Sequence, residues 1–219
     1  MFSQAMLELI GIGILETLYM TILSSVLAYI LGLPLGILLV ITDKDGIAPM
    51  VTINRIIGFI VNIFRSIPFV ILLVALLPFT RMVVGTTLGP NALVVPLVIG
   101  SAPYIARLVE SSLKEVDHGV IEAAQSMGAS PSQIVFKVLI PEAMPSLIMG
   151  GAIAVITILS YSAMGGFVGA GGLGTLAINY GYYRYQVNIM LITIAILVLI
   201  VQGFQELGGR LMRRFDKRL

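Results

Sequence analysis

The chain has 219 residues, 58% hydrophobic and only 11% charged, with a formal net charge of +2. A soluble chain of this length would carry about 55 charged side chains, whereas this one has 13 Lys and Arg and 11 Asp and Glu. That scarcity excludes a soluble enzyme, a disordered chain and a disulfide-framed secreted domain, and it leaves an integral membrane protein.

Other counts exclude more. There is no Cys and a single His, His118, so thiolate chemistry, disulfides and a multi-His metal site are out. No catalytic and no metal-ligating residues are expected. A pI near 9.0 would suit nucleic acid, but the cations sit where membrane topology wants them, so no nucleic-acid partner is expected.

The first 43 residues hold no Lys or Arg. A secretory signal needs a positive n-region, so the first apolar stretch is expected to be retained. A short interfacial helix is expected at about 3–12, within an external segment 1–12. Residues 17–42 are then a charge-free run of 26. At helical rise this reaches ~39 Å, enough to cross a ~30 Å hydrocarbon core with tilt. Backbone groups in lipid must be paired internally, so the span is helical and the fold all-α. Within it, Gly32 and Gly36 form a G-x-x-x-G, a spacing that permits close helix contact.

A second span is expected over 56–80, interrupted by Arg65-Ser66-Ile67-Pro68. An intramembrane charge is costly and often functional. Two readings of Arg65 stand: it marks a helix break with Pro68, or it snorkels toward the headgroups. A third span falls within 82–106. The stretch 143–183 is charge-free for 41 residues. Its first part gives a fourth span over 143–164, and its glycine-rich remainder reads as a loop. Residues 185–205 give the fifth span, preceded by Tyr180, Tyr182, Tyr183 and Tyr185, an interfacial aromatic belt rather than a substrate cage. A basic tail occupies 209–219.

Cation bias orients these five spans. One side carries Lys44, Arg55, Arg107, Lys114, Lys137, Arg210, Arg213, Arg214, Lys217 and Arg218; the other has Arg81 and Arg184. Ten against two puts the N-terminus outside and the C-terminus in the cytoplasm.

The long cytoplasmic segment, about 107–142, is where cytosolic function should concentrate. Asp117 can cap a helix over 118–127, and Gly128 suits its C′ position. Ser130-Pro131-Ser132-Gln133 has the form of a capping box with Pro at N1. A short helix, a glycine turn and a second helix are therefore expected. Spacing alone fits an amphipathic connector equally well.

The residues decide between them. Glu122-Ala123-Ala124, three residues, Gly128, nine residues, then Val138-Leu139-Ile140-Pro141 resembles the EAA loop of type I ABC importer permeases. That pattern is Glu-Ala-Ala, three residues, Gly, nine residues, Ile-x-Leu-Pro. The spacings match in full, with Val138 for Ile and Ile140 for Leu as the departures. The resemblance covers about 13–208, implies a type I ABC transmembrane domain there, and makes 114–137 its coupling loop. In this family the loop docks into a cleft of the ATPase, so it implies coupling roles for Glu122, Ala123, Ala124, Gly128 and Pro141. Glu122 could pair with a basic ATPase residue or interact only with its own helix and solvent. His118 reads as a polar surface residue. The string Ala163-Met164-Gly165-Gly166-Phe167-Val168-Gly169-Ala170-Gly171-Gly172-Leu173-Gly174 is similar to the methionine-importing branch, whose preceding residues line the path. Arg-x-x-Pro steps like that of Arg65 and Pro68 occur in related permeases where the second span kinks.

Gly169 to Gly174 also matches G-x-G-x-x-G. A dinucleotide fingerprint must follow a strand and open a helix; this copy follows a membrane helix, so nucleotide binding is rejected in favour of a tight external turn. The uncharged residues Ser101, Tyr104, Ser160, Tyr161, Ser162 and Met164 are the expected path lining for a small, largely apolar solute. Each serves equally as ordinary helix packing.

Together these imply the permease subunit of an ABC importer in the bacterial inner membrane, moving methionine into the cell. Five helices are too few for a roomy path, so a second copy is expected across a twofold axis. No Walker A motif is present, so ATP and its Mg²⁺ belong to two separate ATPase subunits, with no cofactor in this chain. An external substrate-binding protein or lipoprotein would deliver solute, with membrane lipid around the spans. The alternatives are import of another amino acid or a Met-containing dipeptide and, outside the class, a self-contained secondary transporter or channel. The latter would want ionisable residues at the bilayer midplane.

Overall fold

A computed structural model describes residues 4–215. The helices run α1 Gln4–Ile41, α2 Val51–Ser66, α3 Phe69–Ala75, α4 Leu77–Val84, α5 Pro90–Lys114, α6 His118–Ser126, α7 Pro131–Ile134, α8 Ile140–Glu142, α9 Met144–Met164, α10 Gly172–Leu176 and α11 Val187–Phe215. A π turn over Val135–Leu139 joins α7 to α8, a 3₁₀ turn over Gly165–Val168 follows α9, and a second π turn over Ala177–Tyr182 follows α10.

Helices α1, α5, α11 and the continuation of α9 to Val168 are each long and apolar enough to cross a membrane. A fifth crossing exists if α2 and α3, bent by 100°, count as one span. Several sequence boundaries shift. The separate interfacial helix at 3–12 is not found: α1 continues unbroken from Gln4 through Gly11 and Gly13, with no proline there to end it. Residue 3 lies outside the described residues. The second span is not one straight helix over 56–80. It begins at Val51 and breaks after Ser66, where Pro68 disfavours helical backbone at Ile67. The third span lies at 90–114 rather than 82–106, since Pro90 is preorganised for a first helical turn. The fifth runs to Phe215 and absorbs most of the expected tail, of which 216–219 fall outside the described residues. The glycine-rich stretch after α9 is short helical turns rather than open loop.

The chain divides into two compact units. One comprises 29–66, 102–154 and 206–219. Here the G-x-x-x-G of α1 does what its spacing permits: a Cβ on Gly32 would lie 2.8 Å from the Ala102 carbonyl oxygen, and one on Gly36 2.6 Å from that of Ala106. Only hydrogen fits at this α1–α5 approach. Leu39, Val61 and Ala106 form a buried cluster beside it, and the Ser146 hydroxyl donates to Ser112 Oγ (3.0 Å), tying α9 to α5.

The other unit comprises 1–28, 67–101 and 155–205. Its core gathers Ile10, Leu173 and Leu176, with Ile14, Ile192 and Ile196 packed around them. Gly89 N–H donates to the Gly169 carbonyl (3.0 Å), joining the start of α5 to the glycine-rich segment.

Candidate functional site

The EAA-like loop folds as its local chemistry dictates. Asp117 Oδ1 accepts from Gly119 N–H at 2.7 Å and caps α6. At the other end Gly128 takes φ +78, in the left-handed region that glycine enters without penalty. Gly128 N–H donates to the Gln125 carbonyl (2.9 Å) and Ala129 N–H to that of Ala124 (3.1 Å). This reciprocal pair is a Schellman motif, and it satisfies carbonyls that a bare helix end would leave open. Two residues on, the capping box is complete. Ser130 Oγ accepts from Gln133 N–H (3.4 Å) and Gln133 Oε1 accepts from Ser130 N–H (2.8 Å), with Pro131 at N1.

The π turn after α7 carried no sequence signal. Pro141 sits just beyond it and lacks the N–H that an i→i−4 ladder needs, the setting in which helical winding departs from regular. Phe136, within the turn, is 67% exposed.

The loop presents the coupling candidates unequally. Glu122 and Ala123 are exposed, and Gly128 and Pro141 lie at the surface. Ala124 is buried by this chain's own residues, so its small side chain answers an internal demand. His118 Nδ1 and Glu122 Oε1 approach to 3.1 Å across one helical turn, both largely exposed. Beside α6 the turn after α1 closes a groove of about 510 Å³, lined in part by Val40, Asp43, Gly46, Lys114, His118 and Gln125.

Asp43 anchors that turn. Lys114 Nζ donates to its Oδ2 at 2.8 Å and Lys44 N–H to its Oδ1 at 2.7 Å. These contacts, the Lys114 bond first, hold its carboxyl below the usual carboxylate range. A depressed carboxylate contributes stability above its unfolded value and loses it as pH falls through the folded one, so the contact is intact throughout the neutral range.

Arg65 lies in the last turn of α2, exposed, where a cation complements the helix C-terminus. Pro68, with φ −56 and ψ 132, sits at the start of α3. The helix break expected beside Arg65 and Pro68 is present, between Ser66 and Phe69.

The expected path residues differ in exposure and belong to both units. Ser101 and Ser162 are 0% and 1% exposed; they are buried within this chain and line no open surface of it. Ser162 Oγ donates to the Leu159 carbonyl at 2.7 Å. Ser160 is exposed, and its hydroxyl donates to the Ile156 carbonyl at 3.1 Å. Tyr161 is half-buried and stacked face to face on Phe69, centroids 4.4 Å apart. Met164 is half-buried at the end of α9, and Tyr104 falls in the other unit. Of the tyrosine belt, Tyr182, Tyr183 and Tyr185 are strongly exposed, while Tyr180 lies under the Arg184 guanidinium, 4.5 Å from its ring centroid.

The G-x-G-x-x-G segment supplies what the sequence did not foretell. Glu16 of α1 accepts through Oε2 from Gly172 N–H at 2.6 Å, and Thr17 Oγ1 accepts from Leu173 N–H at 2.9 Å. The amides of Gly172 and Leu173, which a phosphate would need, are taken by the chain's own carboxylate and hydroxyl. Nucleotide binding fails on geometry as well as on context. Glu16 and Gly172 are 156 residues apart, and no local pattern flags the pair.

Comparison with known proteins accords with this geometry. Residues 32–219 match the family model described as binding-protein-dependent transport system inner membrane component. A "Probable D-methionine transport system permease protein MetI" from Vibrio cholerae is 49% identical over 203 residues, covering 93% of this chain and 90% of the relative. The "Methionine import system permease protein MetP" of Bacillus subtilis is also 49% identical over 203 residues, covering 93% and 91%. A chain from inward-facing crystals of the MetNI methionine ABC transporter superposes with a TM-score of 0.97 at 47% identity, over 99% of this chain and 100% of that one. An amino acid ABC transporter chain, at 24% identity and a TM-score of 0.79, shares the fold. With α-helical spans in place, an EAA-like loop closed by its own caps, and a family match over most of its length, the chain belongs to the binding-protein-dependent transport system inner membrane components.

Proposed function

We propose that this chain is the membrane permease of an ATP-driven importer that carries methionine, as L- or D-enantiomer or both, into the cell. The observation that carries the reading is the 122–141 loop. Its EAA spacing is kept, its two helices are capped within the chain, and Glu122 and Ala123 are left facing outward. Methionine as solute is supported by relatives named for its transport at close to half identity over nine-tenths of the chain.

Two copies pair about a twofold axis to enclose the path. Two ATPase subunits, holding ATP and Mg²⁺, dock on the 114–137 loops, and an external binding protein delivers solute to the opposite face. The N-terminus is outside and the C-terminus in the cytoplasm, as the cation bias dictates. ATP binding draws the ATPase subunits together, α6 follows, and the helices rock between openings to either side. No bond in the solute is made or broken by this chain. The scattered hydroxyls around Ser160 and Met164 suit a route that binds weakly, because a carrier's path must release what it admits. Within the unit that holds them, Ser160, Tyr161 and Met164 are the exposed or half-exposed members and the candidate lining of the path.

Reconstitution of the permease with its ATPase and binding protein in liposomes tests this. ATP-dependent accumulation of labelled L- or D-methionine, and weak accumulation of unrelated amino acids, is expected. Uptake by the permease alone without ATP overturns the importer reading. ATP-driven uptake of another amino acid in preference to methionine overturns the substrate.

A further inference from the structure

Arg107, Glu110 and Lys114 lie three and four residues apart on α5, along one face of its last two turns. Lys114 Nζ donates to Asp43 Oδ2 in the turn after α1 (2.8 Å) and to Glu110 Oε1 (2.9 Å). The other Glu110 oxygen accepts from Arg107 Nη1. Arg107 Nη2 donates in turn to Asn62 Oδ1 (2.7 Å) and to the Gly58 carbonyl (3.2 Å) of α2. A continuous polar line therefore joins the turn after α1, the end of α5 and the middle of α2, all within one compact unit.

Its position gives it meaning. Lys114 is the last residue of α5, and only 115–117 separate it from α6. At the other end, α2 leads to the 100° bend before α3. None of these five side chains belongs to the EAA pattern or to the candidate path. Isolated surface ion pairs contribute little. Here Glu110 is the hub: its side chain is 12% exposed and each oxygen has a cationic partner. A buried carboxylate so placed holds both neighbours, and removing one leaves its charge poorly compensated.

We propose that Asp43, Lys114, Glu110, Arg107 and Asn62 are positioning residues that brace the coupling loop against α1 and α2. Displacement of α6 is then delivered to α2 instead of being absorbed by flexing at 115–117. The proposal rests on the reading of 114–137 as the coupling loop.

The test uses the whole reconstituted complex and reads ATP hydrolysed per methionine accumulated, with assembly followed by size-exclusion chromatography. A loss of folded complex lowers both rates in proportion and leaves that ratio alone. Lys114→Met and Asp43→Asn are each expected to raise it at least about threefold, the lower range for altered coupling along a contact network. The double variant is expected to be no worse than the worse single one, because both remove the same contact. Lys114→Arg, which keeps charge and donors, is expected to restore it. An unchanged ratio in Lys114→Met and Asp43→Asn, additive effects in the double variant, or no rescue by arginine overturns the brace. Absence of ATP-driven uptake in the unaltered complex would instead strike at the importer reading itself.

Discussion

Gly128 allows the internal and external demands on the coupling loop to be separated. Its φ of +78 lies in the left-handed region, where an ordinary L-residue pays roughly 1–2 kcal/mol. A Cβ built there meets no heavy atom within 4 Å, so within this chain the only obstacle is backbone conformation. Gly128→Ala should therefore weaken the Schellman closure by that amount, about five- to thirtyfold in the ratio of closed to open turn. Asn tolerates the left-handed region far better, so Gly128→Asn should cost a few tenths of a kcal/mol and keep most ATP-driven uptake. Gly128→Asp has nearly the same shape and backbone tolerance as Asn and adds a negative charge at the edge of the proposed docking face. Uptake is expected to fall in the order glycine, asparagine, alanine, aspartate, with the aspartate variant inactive yet inserted and folded. Labelled methionine accumulation in liposomes, beside size-exclusion profiles of the complex, measures this. Normal uptake by Gly128→Asp would refute the docking role. Inactivity of Gly128→Asn as complete as that of Gly128→Asp would refute the backbone argument and show that a partner tolerates no side chain there at all.

Two further perturbations address the contacts that hold the candidate site. Glu16→Leu removes a charge-assisted hydrogen bond to Gly172 N–H and should cost about 1.5–3 kcal/mol, read as a lower melting temperature of the detergent-solubilised complex; Glu16→Gln, which keeps an acceptor, should recover most of it, and an unshifted Glu16→Leu would show that the contact contributes nothing. Ser130→Ala breaks one half of the capping box and should cost ~1 kcal/mol, seen as faster amide hydrogen exchange confined to about 131–135, and unchanged exchange there would deny the cap any role.

The parts of this fold legible in sequence are those set by neighbouring residues. Asp117, Gly128 and the Ser130–Gln133 box lie within a few positions of the groups they satisfy, and each took the role its type and spacing assigned. Charge-free length likewise announced the apolar helices. The contacts that escaped notice join residues far apart in the chain. Glu16 has no neighbour in sequence that marks its role, although it closes the amide of Gly172 across 156 positions. The spacing of Arg107, Glu110 and Lys114 was visible as a helical face, but their partners Asn62 and Asp43 were not. The π turn over Val135–Leu139 escaped for another reason: its residues are ordinary helix formers, and the departure in winding belongs to how the helix meets Pro141.

The EAA pattern itself splits along the same line. Ala124 is 4% exposed and its carbonyl accepts from Ala129 N–H in the Schellman pair, so α6 could not close on the rest of the loop with a larger side chain there. Gly128 answers to its φ. Asp117 and Ser130 answer to helix ends. All four would be required of this loop with no partner present. Ala123 and Glu122 differ: both face outward, and neither fills a space or satisfies a backbone group of this chain. Alanine is the best helix former, but by only a few tenths of a kcal/mol over the lysine, glutamine or arginine that an exposed face ordinarily carries. Helix propensity alone is too small to single out so short a side chain beside an exposed acid. The proposed docking surface, coming close at Ala123 and meeting the carboxylate of Glu122, would supply what propensity does not. The smallness of Ala123 is thus the part of the motif that this chain's own packing does not explain, and the proposed ATPase contact does.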